Sequence, residues 1–432
     1  MHRLWLMVPA LVALAGCDAF SPAGNAQQST PTPSPTSTPE VAATLIPTVE
    51  ATPDEPESLV IWLPDVLIPA VAGEDNIDLL NQQIAEFGAS MDVTIEIRRK
   101  RVRDVGGILP TLRTAKDIAP GVIPDVTLVQ REDLLAAADL EVAYPVEGIV
   151  PSGIIGDLYE SALRLGQVDG ELFGVPYALE IQHVVYDDSV TNLRDSSFET
   201  YLEADVPFTF PAARATGLNN TFLVQYLAAG GTLGPNGELQ VNEEALLQTL
   251  RFYEEGVDAD LITSQVLDYT RALEYRSVLT TDDAFGAAVV SSQVYMELLD
   301  SDAAFGVGAL PTASGDQTTS LDGWMWVMTT ADSDQQSIVA DFIDWMLDVN
   351  RQGEYVRSLA LLPSQRGAFR AWYGEAYDEA FINTLLENAQ LPLIETTGGT
   401  APRAIQTALE GVIAGEQTAR EATAAVVEQM NN

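Results

Sequence analysis

Few residues in this 432-residue chain are of a type that does covalent or metal chemistry. There are two histidines, His2 and His183, and one cysteine, Cys17. They cannot assemble an HExxH helix, a CxxC pair or a multi-cysteine zinc set, and no intramolecular disulfide can form. The two lysines, Lys100 and Lys116, do not follow a glycine, which excludes a GK[ST] phosphate loop. Neither GxSxG nor GxGxxG occurs; Gly306-x-Gly308 ends in Pro311. Carboxylates are the opposite case, with 63 Asp and Glu against 21 Lys and Arg and a formal net charge of -42. In so acidic a chain, pairs of acids arise by chance everywhere and mark no catalytic site. The same charge argues against nucleic acid as a partner, because phosphate contacts need a basic surface. His183 is alone, and a lone histidine is more often a structural hydrogen-bonder than a ligand or catalyst. What remains is non-covalent recognition. The indoles of Trp62 and Trp324 each offer an apolar platform and an N–H donor; the alternative for each is a place in a core.

The elements that must position such side chains follow from hydrophobic period. At 47% hydrophobic and 19% charged, most of the chain is globular, and its length predicts two lobes or domains. Short apolar runs at Leu59–Leu63, Val93–Ile97 and Asp125–Val129 read as strands. Helical spacing of Ile77, Leu80, Ile84 and Phe87 fills the gap between the first two, and another helix begins near Leu134. Later, strands are expected at Leu172–Val175, His183–Tyr186, Ala287–Ser291, Phe305–Ala309 and Trp324–Met328. Leu246, Leu250, Tyr253 and Val257 stripe one helix over 241–257, and Ile338 to Met346 stripe another. From Glu375 onward the chain reads as helical, with a break at Thr396–Gly399. The alternation predicts an α/β fold with a largely parallel sheet. Trp326, on the same predicted strand as Trp324, is expected in the core.

The N-terminus carries an address. Met1-His2-Arg3 is a short basic start, Leu4–Ala13 is apolar, and Leu14-Ala15-Gly16-Cys17 follows. This resembles a bacterial lipoprotein signal peptide over residues 1–16 with its lipobox. The apolar run is too short to be a stable membrane span. The resemblance implies acylation of Cys17 and cleavage before it, and two or more chains anchor stably. Residues 17–57, which contain STPTPSPTSTPE, read as a Pro/Ser/Thr-rich tether. Fully extended it reaches on the order of 120 Å, and as a coil about 35–40 Å.

The order of landmarks after residue 58 resembles the extracellular solute-binding proteins of ABC importers, in the sugar-binding family that includes maltose-binding protein. Leu59-Val-Ile-Trp is similar to the opening strand, and Ile123-Pro-Asp-Val-Thr-Leu-Val to the "PDV" strand. Tyr144-Pro-Val-Glu-Gly-Ile-Val follows. Asp169-Gly-Glu-Leu-Phe-Gly-Val-Pro-Tyr is the strongest match and leads into His183-Val-Val-Tyr-Asp. Gly230-Gly231, Gly308-Ala-Leu-Pro311, Asp322-Gly-Trp324, Leu361-Leu-Pro-Ser364 and Ala414-Gly-Glu-Gln-Thr418 complete the series. Two places depart from the family: Asp187 stands where it has Asn, and Ser197–Leu202 is contracted and followed by Pro207-Phe-Thr-Phe-Pro211.

The resemblance implies a two-lobed periplasmic-binding-protein-like fold of type II, with a hinge of several chain crossings. Lobe 1 is expected over 58–175 plus 312–348, and lobe 2 over 176–311 plus 349–432. Crossings are placed near Gly174–Leu179, Leu310–Leu321 and Leu347–Asn350. It implies a non-enzymatic monomer without cofactor or metal, lipid-anchored through Cys17 and facing outside the cytoplasm. That monomer takes a small molecule, a sugar or oligosaccharide first, and passes it to an ABC permease. A polyamine, metal or peptide in the same cleft is the alternative, a surface glycoside hydrolase the more distant one. Candidate ligand contacts are Trp62 and Trp324 as platforms, Asp65 after the first strand, Gln130 and Arg131 after the third, and Tyr177 and Glu180 at the first crossing. Ser291 and Tyr295, and then Arg366, Trp372 and Arg403, complete them. Tyr177 and Glu180 otherwise brace the hinge. The run Arg98-Arg99-Lys100-Arg101 with Arg103 reads as a solvated strand end, or else faces the cleft mouth or the permease.

Overall fold

The computed structural model describes residues 57–68, 74–214, 217–235, 237–281, 286–299, 305–393 and 399–431. The signal peptide, Cys17, the tether up to residue 56 and residues 396–398 of the expected helix break lie outside the described residues.

The strands used below are β1 (Ser58–Pro64), β2 (Thr94–Lys100), β3 (Val126–Val129), β4 (Gly174–Asp187), β5 (Phe208–Thr209), β6 (Ala287–Ser291), β7 (Phe305–Gly308), β8 (Leu321–Met328) and β9 (Leu362–Pro363). In lobe 1, β1 pairs in parallel with β2 on one side and β3 on the other. β8 is antiparallel to both β3 and the first half of β4. In lobe 2, the second half of β4 is antiparallel to β6 and β7, and β6 runs parallel to β5. The expectation of a largely parallel sheet therefore holds for β1–β3 and fails around β4, where antiparallel pairs dominate.

β4 is the structural surprise. The sequence shows two short strands, at 172–175 and 183–186, because Pro176, Glu180 and Gln182 interrupt the apolar pattern. The structure joins them into one 14-residue strand that serves both lobes. Its polar residues are tolerated because Glu180 and Gln182 face a cavity. The turn leading to it explains the Asp-Gly motif. Asp169 and Gly170 both have positive φ, 50° and 89°, closing the hairpin Gln167–Val168/Glu171–Leu172. Two successive positive-φ residues are what a two-residue type I′ hairpin turn requires.

Aromatic side chains anchor each lobe. In lobe 1, Trp326 is fully buried, with Tyr177 5.4 Å and Phe342 5.1 Å away between ring centres. In lobe 2, Phe208 and Phe210 of the divergent Pro207–Pro211 stretch turn inward, and Phe198 stacks on Phe252 at 4.4 Å. The helix expected over 241–257 forms at Glu243–Asp258. Asn242 caps it, its side-chain oxygen accepting the N–H groups of Glu244 and Ala245.

The helix Val349–Ser358 is tied to β4 and to the segment after β1: Gln352 donates to the Tyr177 carbonyl at 2.8 Å and Tyr355 to that of Leu67 at 2.6 Å. β9 then pairs with Leu179 and Ala178 of β4. An amphipathic stripe says that a helix face is buried, not which lobe buries it.

Candidate functional site

β1 and β3 end at the interlobe cleft, and β4 and β8 floor it. Asp322 lies directly opposite Glu180 in the β8–β4 register, and Trp324 opposite Ala178. Side chains directly opposite on antiparallel strands share a face, so the two carboxyls stand together. Gly323, between Asp322 and Trp324, has a physical task. A Cβ there would fall 2.6 Å from the Ala178 carbonyl oxygen, so only glycine lets β8 approach β4 this closely. That accounts for the Gly-Trp motif.

The cavity over this floor measures about 600 Å³, within the ordinary range for small-molecule sites. Both lobes line it. Val66, Gln130, Asp322 and Trp324 come from lobe 1, and Arg214, Arg271, Ser291 and Glu297 from lobe 2. A smaller cavity of about 230 Å³, lined by Arg103, Arg131, Arg214 and Asp322, adjoins it through shared residues.

Glu180 and Asp322 are both pushed above the usual carboxylate range, chiefly by burial. For Glu180, a hydrogen bond from Ser291 opposes the shift and the nearby Asp322 charge adds to it. For Asp322, the Gly323 N–H at 2.7 Å opposes it, as do Arg103 and Arg214. Ser291 also receives the Val294 N–H, capping the short helix Ser292–Leu298. Gln130 sits at the end of β3 with its side-chain amide 3.5 Å from Asp322. The floor is thus a pair of acceptor-rich groups with little internal satisfaction, beside one indole. It favours a ligand rich in O–H or N–H donors with an apolar face.

Of the expected contacts, Gln130, Glu180, Ser291 and Trp324 line the main cavity, and Arg131 lines the smaller one. The guanidinium of Arg131 is nonetheless spent on the protein: it donates to the carbonyls of Arg164, Leu165 and Gln167. The other seven line neither cavity. Trp62 is buried in the core cluster that also holds Ile108 and Leu112, with the Lys100 ammonium 4.2 Å from its ring centre. Asp65 is exposed, while its neighbours Val66 and Leu67 reach the cavity. Tyr177 packs against Trp326 in the lobe 1 core. Tyr295 is buried too, donating to the Ala376 carbonyl at 3.1 Å. Arg366 donates to the Leu158 carbonyl at 2.6 Å, and Trp372 packs over Gly353. Arg403 lies on the helix Ala401–Ile413, at a different surface depression. His183 is structural: its Nε2 lies 3.1 Å from the Tyr377 hydroxyl, and burial lowers its pKa to about 4.

Sequence reasoning missed Asp322, Arg214 and Arg271. Asp322 carried a signal, since it opens the Asp-Gly-Trp motif one strand step from Trp324. The two arginines lie in loops whose course the sequence does not define. Among the described residues, no group of three or more His, Cys, Asp or Glu is arranged to hold a metal ion. No helix among them is long and apolar enough to cross a membrane.

Several solved structures with the same architecture name a sugar in their titles. The cyclic α-maltosyl-1,6-maltose binding protein from Arthrobacter globiformis is 18% identical with a TM-score of 0.68, over 87% of this chain and 98% of that one. The maltose/maltodextrin-binding domain from Bdellovibrio bacteriovorus, bound to maltotriose, is 12% identical at 0.58, over 87% and 100%. An ABC transporter solute-binding protein from Thermotoga lettingae, bound to α-D-tagatose, is 13% identical at 0.60, over 87% and 99%. At these identities the likeness establishes the two-lobed fold. No curated protein matches the sequence. The sequence pattern of the bacterial extracellular solute-binding proteins spans residues 82–378, and the chain belongs to that family.

Proposed function

We propose that this protein captures a mono- or oligosaccharide in the interlobe cleft and delivers it to the permease of an ABC importer, held at the membrane by lipid on Cys17. The observation that carries the reading is the cleft floor, where Trp324 stands beside the Glu180–Asp322 pair and Gln130. A sugar ring presents a C–H face to the indole and hydroxyl donors to the carboxyls. Closure of the lobes about β4 would bury the ligand, and the closed form would dock on the permease. Titles of structural neighbours that name maltose, maltodextrin and tagatose support the ligand class.

The cleft acts without catalysis. Glu180 and Asp322 rise from adjacent strands on one wall, whereas glycoside hydrolysis needs two carboxyls flanking the scissile bond. Absence of turnover on aryl glycosides is the expected result. An amine in the same cleft is the second reading, favoured by the two carboxyls.

A thermal-shift screen of residues 58–432 against saccharides, polyamines and metals tests the assignment. A ligand at 100 times its Kd stabilises by about 2.7 kcal/mol. A shift with one saccharide class, lost in Trp324→Ala, is expected. A shift with spermidine that Glu180→Gln abolishes, with silence for every sugar, would transfer the cleft to amines.

A further inference from the structure

A second cavity, of about 550 Å³, lies away from Glu180 and Trp324 and takes no part in the cleft. One wall is the lobe 1 helix Glu160–Gly166, and another is the end of the lobe 2 helix Asn220–Ala228. The segment Asp316–Thr318, which leads from β7 to β8, and the residues after the helix Glu379–Glu387 complete it. Thr318 donates to the Asn388 carbonyl at 2.8 Å, and the Asn388 side chain to that of Gln317 at 3.1 Å, so these last two walls are tied together.

The chemistry of this groove is one-sided. Glu160, Asp316 and Glu387 supply three carboxylates against the single guanidinium of Arg164, which donates to the Ala389 carbonyl at 2.6 Å. Two nine-residue helices, Asn220–Ala228 and Glu379–Glu387, end at it, and helix C-termini carry partial negative charge. Ser161 lines the groove, is 1% exposed, and its buried hydroxyl has no hydrogen-bond partner among the described residues. A buried orphan hydroxyl is costly unless something completes it.

We propose that this groove is a binding site for a small organic polycation, a polyamine-type amine whose N–H groups meet the carboxylates and the Ser161 hydroxyl. Because the groove is walled by both lobes, its width changes with the hinge, and an occupant biases the angle between them. The proposal stands apart from the saccharide reading of the cleft.

Calorimetry with spermidine on the full-length chain tests it. One saturable site is expected in the wild type. Affinity is expected to fall at least tenfold in Asp316→Asn/Glu387→Gln and less than twofold in Asp341→Asn/Asp344→Asn, an equal charge change on the exposed face of the helix Ser333–Met346, which does not line the groove. Ser161→Ala is expected to weaken spermidine about threefold without lowering the unfolding midpoint, which separates ligation from folding. Glu180→Gln is expected to leave spermidine binding unchanged. Equal losses in the two double variants would reduce the effect to diffuse attraction by an acidic surface and overturn the site. Loss in Glu180→Gln would move spermidine to the cleft and overturn it as well. Small-angle scattering is expected to show a spermidine-dependent change in radius of gyration that Asp316→Asn/Glu387→Gln removes; no change in the wild type would overturn the hinge linkage.

Discussion

Glu180 and His183 lie three residues apart on β4, and burial drives both towards their neutral forms, the carboxyl upward and the imidazole down to about 4. They differ in what completes them. His183 is closed off: Tyr377 bonds its Nε2, and Tyr295 and Tyr377 sit edge-on at 5.1 and 5.6 Å. Glu180 faces a cavity, with Ser291 as its protein partner and Asp322 alongside. One strand thus carries a satisfied aromatic knot that holds lobe 2 and a partly satisfied acidic floor that awaits a ligand. Equal desolvation does not mean equal function; the deciding quantity is whether the protein itself fills the remaining hydrogen-bonding capacity.

The strongest way to break this contrast is to open the knot. Tyr377→Ala removes a buried ring in contact with His183 and Tyr295, and a loss of about 3–5 kcal/mol in urea unfolding is expected. A loss below about 1 kcal/mol would show that the knot is not a stability centre. Next comes pH. The folded pKa of His183, about 4, is below its unfolded value near 6.5, so the unfolded chain binds the extra proton between them. Its contribution is complete above about pH 6.5 and lost as pH falls towards 4, on the order of 3 kcal/mol. Glu180 and Asp322 act with the opposite sign, gaining protons in the folded state as pH falls. His183→Gln is expected to flatten the acid-side slope of stability; an unchanged slope would place the titration elsewhere.

On the cleft side, Trp324→Ala is expected to weaken the saccharide identified in the screen at least tenfold, about 1.4 kcal/mol. An affinity within twofold of wild type would return Trp324 to a packing role. The smallest effect sharpens the comparison most. Glu180→Gln keeps the shape but removes the buried charge, so stability is expected to hold or rise while saccharide affinity falls roughly threefold. A fall in stability with no change in affinity would mean that Glu180 braces the hinge instead.

Several parts of this architecture were legible beforehand. β1, β3, β6 and the helix Glu243–Asp258 appear within a residue or two of their apolar periods. Trp324 lines the cavity and Trp326 lies in the core, although residues two apart on a regular strand share a face; the register shift between Trp324 and Met325 breaks that alternation. Strand alternation could not place Trp62 either: Ile108 and Leu112, which share its core cluster, come from another part of the chain. Arg131 and Tyr295 were expected at ligand because they follow strand ends; each donates to backbone carbonyls supplied by remote segments, which strand position does not reveal.

By itself, the sequence determined the α/β pattern, the polar tether composition, the Asp169-Gly170 turn and the series of motifs that mark the family, since these depend on local period, backbone freedom and residue order. Only the tertiary structure decided that β4 is one strand shared by two lobes, that Asp322 stands opposite Glu180, and which of twelve candidates reach a cavity. Those outcomes depend on pairing register and on what packs over each strand, and both are set by segments far apart in the chain.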